Sequence, residues 1–221
     1  EDNAQALGAN YFFGNGTNKK AGTIGDIGCT SFFPSKCLGC FGDGGALYTN
    51  NDQLAEKISC IANHGAKIKY HHQMIEINSR LDGIQAAILN VKLKYLEDYI
   101  TARQNVAQKY RANLKNIFEI RLPAEVDFSS HVYHQYTIKT QDEKTRDELK
   151  EFLKLKDIPS MVYYPGPIHE QKAFSVFKTV KKNYPVTEKL CKTVLSLPVH
   201  TEMHDEEINY ISENISNYFN R

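Results

Sequence analysis

The 221-residue chain carries 27 Lys and Arg against 26 Asp and Glu, a net charge of +1, with 41% hydrophobic and 24% charged residues. That balance suits a soluble globular protein of one large or two small domains, long enough to bury a substantial core. It supplies no global field for nucleic acid, and no run of about eighteen apolar residues exists to span a membrane. The lysine pairs Lys19-Lys20 and Lys181-Lys182 read as solvated loops. The five cysteines, at 29, 37, 40, 60 and 191, are an odd set. With no secretion signal at the start of the chain, they predict reduced thiols and a cytoplasmic location. The sequence opens at Glu1, inside what reads as a strand-to-helix junction over residues 1–8, so further sequence is expected ahead of it.

Residues 9–28 are rich in Gly, Asn and Lys and predict a surface loop or hairpin. Cys29 to Phe33 reads as a short buried strand stopped by Pro34. Four glycines between Gly39 and Gly45 make a tight turn into a strand at Ala46–Thr49. Leu54, Ile58 and Ile61 place a helix over 51–63. After Asn78, Ser79-x-x-Asp82 fits a capping box. Leu81, Ile84, Ile88, Val91, Tyr95, Tyr99, Ala102 and Val106 then recur at steps of three and four toward Tyr110. This predicts one long helix, or two nearly continuous ones, of roughly 35 residues and about 50 Å, a length that bridges two domains.

Beyond it, His131–Lys139 reads as a strand with Val132, His134, Tyr136 and Ile138 on one face, His134 being a satisfied core histidine. Asp142–Lys156 is an amphipathic helix on Leu149, Phe152 and Leu153. Ser160–Tyr164 is a strand stopped by Pro165-Gly166-Pro167. Val186, Leu190 and Val194 mark another helix, and Asp205 caps a last one that buries Ile208, Ile211, Ile215 and Tyr218. Mixed strands and helices give an α/β or α+β fold.

Two segments carry candidate chemistry. Lys36 ends the run Ser31-Phe32-Phe33-Pro34-Ser35-Lys36. Burial at such a place favours a neutral amine, the form that carbonyl chemistry needs. Spacing alone describes equally well, and more commonly, a lysine snorkelling at a strand end. Cys37-Leu38-Gly39-Cys40 is a CxxC pair, which raises zinc or dithiol chemistry. Structural zinc takes four ligands, often as two pairs, and only His64, His71 and His72 are left to complete a set. The motif also runs into a glycine turn rather than a helix, which weakens a redox reading.

Several segments, in order, resemble the DegT family of nucleotide-sugar aminotransferases. They are Asp2-x-x-Gln5, Ser31 to Lys36, Leu38 to Gly45, His64-Gly65, Asn78-Ser79-Arg80-Leu81-Asp82 with Gln85-Ala86-Ala87, Tyr163-Tyr164-Pro165, and Leu195 to His200. The resemblance implies an α/β fold of the pyridoxal-phosphate-dependent transferase type (aspartate-aminotransferase type). Residues 1–93 would complete the large cofactor-binding domain, and residues 94–221 would form the small C-terminal domain entered through the long helix. It implies pyridoxal 5'-phosphate as cofactor, an amino-acid donor such as glutamate, and a keto group on a nucleotide-linked sugar as acceptor. The nearest resemblance is to enzymes acting on UDP-3-keto-N-acetylhexosaminuronic acids. Lys36 resembles the Schiff-base lysine, and its presence argues against the dehydratase members, which carry histidine there.

The other roles follow by position. Asp2 resembles the carboxylate facing the pyridine nitrogen, where an anion keeps that nitrogen protonated; read alone it is a helix N-cap. Gln5 resembles the residue touching the phenolic oxygen. Ser31 resembles a phosphate-binding hydroxyl; read alone it is a turn serine bonded to backbone. Asn78 resembles an asparagine that reaches the phosphate of a partner subunit, which implies a homodimer with shared active sites. Arg80 has the fork of donors to grip a substrate carboxylate, and equally suits a solvated first turn. His64 and Tyr164 are pocket candidates. Two departures stand out: Cys37 where Asn or Pro is usual, and a longer stretch between Gly8 and Gly22. The family's N-terminal half, with its phosphate-binding turn and its ring-stacking residue, is outside this chain. A fold-bearing, dimer-forming fragment without turnover is therefore the second reading.

Overall fold

The computed structural model describes residues 1–176 and 183–220, so Lys181-Lys182 lies outside the described residues. The chain divides into two compact units. The first holds residues 1–104 and 125–134, the second 105–124 and 135–221. The division falls inside the long helix, and residues 125–134 return to the first unit.

The first unit opens with an extended segment, Glu1–Asn3, joined to the next strand by a parallel bridge between Asp2 and Cys29. A hairpin of β1 (Asn10–Phe12) and β2 (Asn18–Lys20) follows, with Lys19 and Lys20 exposed. β3 (Gly28–Ser31) pairs antiparallel with β4 (Gly45–Tyr48), bringing Ser31 opposite Gly45. The connection between them carries Lys36 and both cysteines of the CxxC pair. α1 (Asp52–Ala62) is capped by Asn51, whose side chain accepts from Leu54 N–H. A small hairpin of β5 (Ala66–Ile68) and β6 (His71–His72) precedes α2 (Gly83–Lys92).

A 3-10 turn at Leu93–Tyr95 joins α2 to α3 (Leu96–Leu114), so the helical run is nearly continuous. Its start differs from the capping-box expectation. Asp82 occupies the N-cap and no side chain caps that end. Ser79 N–H is instead committed to Ala62 C=O at 3.0 Å, next to the bridge between Asn63 and Asn78. The predicted stripe is only partly covered: Val106 is buried, while Leu81, Ile84, Val91 and Tyr95 are exposed, and Leu89 and Ile100, outside the stripe, are buried instead.

The second unit is built on a three-stranded antiparallel sheet ordered β7 (Ile120–Arg121), β8 (Tyr136–Thr140) and β9 (Val194–Leu197). α4 (Glu143–Lys154), α5 (Pro185–Thr193) and α6 (Asp205–Phe219) complete it. Alternation along β8 buries Tyr136, Ile138 and Thr140. Tyr110 from α3 packs at a tilt against Tyr136, ring centres 5.0 Å apart, and donates to Pro198 C=O at 2.9 Å.

Several expectations are corrected in this unit and beside it. Residues 131–135 are not strand, because Tyr133 adopts a φ of 47°. Ser160–Tyr164 makes only a bridge at Met161. Val194 begins β9 rather than ending a helix. The N-cap of α6 is His204, one residue before Asp205, and Glu207 closes the cap by accepting from His204 N–H at 2.8 Å.

Leu149 and Leu153 on α4 are fully buried, as are Ile138, Leu195, Ile208 and Ile215 on the neighbouring elements of this unit. Leu149→Ala is expected to destabilise this unit by about 2–5 kcal/mol, measured by urea unfolding, because a packed core fills such a cavity poorly.

Candidate active site

The site grows from one edge of β3. Glu1–Asn3 runs parallel to it, so Gln5 and Ser31 lie onward in the same direction from the Asp2–Cys29 bridge. Asp2 is exposed, and one carboxylate oxygen accepts from Ala4 N–H at 2.9 Å. That is a local turn bond, not the cap of a helix; no helix follows. Its second oxygen has no partner among the described residues. Gln5 is exposed beside it. Ser31 Oγ accepts from Phe33 N–H at 3.2 Å, which leaves its hydroxyl proton to donate elsewhere.

Lys36 follows on a turn closed by its own N–H to Phe33 C=O at 2.9 Å. Lys36 is half-buried rather than sunk in a core. Its amine makes no hydrogen bond or ion pair with a described residue. Cys37, next to it, packs with Ala9, Ile100 and Val132. Cys40 belongs to a different cluster, with Leu38 and Leu89, and its thiol donates to the carbonyls of Phe32 and Gly42 at 3.0 and 3.1 Å. The two cysteines are core residues of separate clusters and do not present a joint ligand pair. Burial pushes the Cys37 thiol up, against the pull of Arg103 and Lys36.

Arg103, on α3, is buried and donates to the carbonyls of Tyr133 and His134 at 3.2 and 3.3 Å. Gln104 holds His131 C=O at 2.9 Å. These bonds replace the expected strand pairing and fix the segment 131–134 on α3. His134 is not the satisfied histidine that the sequence predicts: its Nδ1 is buried with no hydrogen-bond partner among the described residues. Burial pushes its pKa down to about 4, with Lys36 and Arg103 adding to the effect.

A second group gathers around β5 and β6. Asn63, His64, Lys67, Lys69, Tyr70, His72 and Arg80 line a cavity of about 650 Å³. The bridge between Asn63 and Asn78 puts Asn78 beside it. His72 Nδ1 lies 2.6 Å from His64 C=O, and His64 has a φ of 59°. Arg80 and Asn78 are exposed. The sequence reading had His64 and Arg80, but not Lys67, Lys69, Tyr70 or His72; their signal was the basic and aromatic run from Lys67 to His72. Tyr164 belongs to the second unit, where it is 61% exposed and its ring centre is 5.4 Å from that of Tyr163.

The model of the DegT/DnrJ/EryC1/StrS aminotransferase family matches residues 1–216. The chain belongs to that family. It is 43% identical over 221 residues, 99% of the chain and 57% of the relative, to a protein of Geobacillus stearothermophilus named a pleiotropic regulatory protein. It is 40% identical over 217 residues, 98% of the chain and 57% of the relative, to the UDP-2-acetamido-2-deoxy-3-oxo-D-glucuronate aminotransferase of Pseudomonas aeruginosa. Among solved structures, Streptomyces venezuelae DesV in complex with a ketimine intermediate matches at a TM-score of 0.89 and 33% identity, over 99% of this chain and 57% of that one. The family's fold, that of the pyridoxal-phosphate-dependent aminotransferases, is therefore the fold of this chain, which spans little more than half the length of these relatives.

The depressed His134 gives a pH signature. Its folded pKa of about 4 lies below the ordinary 6.5, so the unfolded chain binds the extra proton between those values. The stability held by neutral His134 is complete above the unfolded value and is lost as pH falls toward the folded one. His134→Gln is expected to flatten that acid loss, seen by comparing denaturant midpoints at pH 7 and pH 4.5.

Proposed function

We propose that the complete protein containing this chain transfers an amino group from an amino acid, glutamate being the expected donor, to a keto group of a nucleotide-linked sugar, using pyridoxal 5'-phosphate. The observation that carries the reading is the set of uncommitted groups along β3. Among the described residues, the Lys36 amine has no hydrogen-bond or ion-pair partner, one Asp2 oxygen is open, and the Ser31 hydroxyl proton is unused. An amine, an anion and a hydroxyl donor are the chemistry that the aldehyde, pyridine nitrogen and phosphate of this cofactor require, so these residues fit it. When bound, the cofactor supplies an electron sink for the carbanion next to the transferred nitrogen.

This chain's residues then have separate tasks. Asp2 holds a proton on the pyridine nitrogen. Ser31 donates to a phosphate oxygen, and Gln5 donates beside it toward the phenolic oxygen. Lys36 is the base and acid that moves the proton between the substrate carbon and the cofactor. Around β5 and β6, Lys69, Arg80 and His64 suit the anionic part of a nucleotide sugar, with Arg80 able to fork onto a carboxylate or phosphate. Asn78 beside this cavity is assigned to the cofactor phosphate of a second subunit, so a homodimer with shared sites is part of the proposal. Tyr164 is assigned to the sugar pocket.

A UDP-linked 3-keto uronic acid is the substrate class favoured, since the Pseudomonas aeruginosa relative bears that name. The family match supports a biosynthetic enzyme, with cytoplasmic location as the accompanying expectation; among the described residues no helix is long and apolar enough to cross a membrane. Residues 1–93 and 94–221 keep their proposed assignment to the large and small domains.

Two experiments test the reading. Borohydride reduction of the cofactor-loaded protein, followed by digestion and mass spectrometry, is expected to label the Lys36 peptide alone, and Lys36→Ala is expected to cut transamination by about 10³-fold or more. Labels scattered over exposed lysines, or a Lys36→Ala enzyme of ordinary rate, exclude it. Separately, Arg80→Ala is expected to raise KM for the nucleotide sugar about tenfold with kcat little changed, the pattern of lost ground-state binding, and the effect is expected to shrink at high salt.

A further inference from the structure

Alternation along an extended segment sends Glu1 and Asn3 to one side and Asp2 to the other. Both of the first two grip the turn at residues 21–25. One Glu1 oxygen accepts from Gly22 N–H at 2.7 Å, and the other accepts from Ile24 and Gly25 N–H at 2.9 and 3.1 Å. Asn3, 1% exposed, donates from Nδ2 to Ala21 C=O at 2.8 Å. Backbone bonds finish the seam: Cys29 N–H donates to Glu1 C=O at 2.8 Å, and Asn3 N–H to Cys29 C=O at 2.9 Å.

Three main-chain N–H groups converging on one carboxylate form an anion nest. Gly22 makes it possible, since its φ of +89° is closed to most side-chain-bearing residues. The nest holds the Glu1 carboxyl below the usual carboxylate range, the Gly22 bond being the largest cause. Nothing in the proposed chemistry uses this group.

We propose that Glu1 is a positioning residue: its carboxylate locks residues 1–3 to the 22–25 turn, and so holds the open oxygen of Asp2 in one place for the pyridine nitrogen of the cofactor. Among the described residues, only the Ala4 N–H bond restrains the Asp2 side chain. Its backbone therefore has to be fixed from the opposite face, and Glu1 and Asn3 are the side chains that do it. The inference rests on reading Asp2 as the cofactor-facing carboxylate.

The test is a double-mutant cycle on cofactor affinity in the complete enzyme, with pyridoxal 5'-phosphate as the probe and equilibrium dialysis as the readout, alongside hydrogen exchange at the Gly22, Ile24 and Gly25 amides. Glu1→Gln is expected to speed exchange at those amides and raise the Kd about tenfold, Asp2→Asn to raise it at least as far, and the double variant to match Asp2→Asn alone. Losses that simply add overturn the proposal, because Glu1 then acts other than through Asp2. An ordinary Kd in Glu1→Gln beside a weakened Asp2→Asn overturns the proposal and leaves the Asp2 assignment standing. An ordinary Kd in Asp2→Asn removes that assignment itself. If Glu1→Gln does not fold, Glu1→Asp keeps the charge but is one methylene too short to span the nest. It is expected to show the same coupled loss, and wild-type affinity with fast-exchanging amides in that variant overturns the proposal.

Discussion

The candidate site hangs on a seam of backbone hydrogen bonds between residues 1–3 and β3. The seam sets Asp2 beside Cys29, two residues before Ser31 and seven before Lys36, so positions distant in sequence meet along one edge. The pairing of β3 with β4 sets the other side, and the loop between those strands presents the lysine. Each hydrogen bond contributes little alone, about 1 kcal/mol net. Their value lies in direction: a parallel seam allows one register and one facing for each side chain.

Sequence alone located most elements here, for reasons that differ from place to place. The hairpin at β1 and β2, the strands β3 and β4 and the helices α1, α4 and α6 follow from turn residues and apolar spacing, which are local signals. The strand expected at His131–Lys139 shortened to Tyr136–Thr140 because a non-local group intervened. Arg103, some thirty residues upstream, takes the carbonyls of Tyr133 and His134. No local pattern reports that. β9 was missed for a similar reason: Val194 continues the helical spacing of Val186 and Leu190, yet pairs with Lys139 across the sheet.

The candidate site residues were named from motif order, which carried nothing about their arrangement. Motif order proposed Lys36, Asp2, Gln5 and Ser31; the structure bridges Asp2 to Cys29, ends β3 at Ser31 and carries Lys36 in the connection to β4. His64, Asn78 and Arg80 form a second group around the β5–β6 cavity, which spacing could not have separated from the first. The charges differ too. The cavity is lined by cations and histidines, whereas the charge of Lys36 acts on His134.

The nest that holds Glu1 is made of main chain alone. Side chains at Thr23 and Ile24 take no part in it, so drift at those two positions leaves the grip intact provided the turn keeps its shape. Gly22 is the exception, because its backbone conformation is the feature being used. On the loop side, Gly22 apart, the anchoring of Asp2 is thus written in chain geometry, while on the strand side it depends on the Glu1 carboxylate and the Asn3 amide.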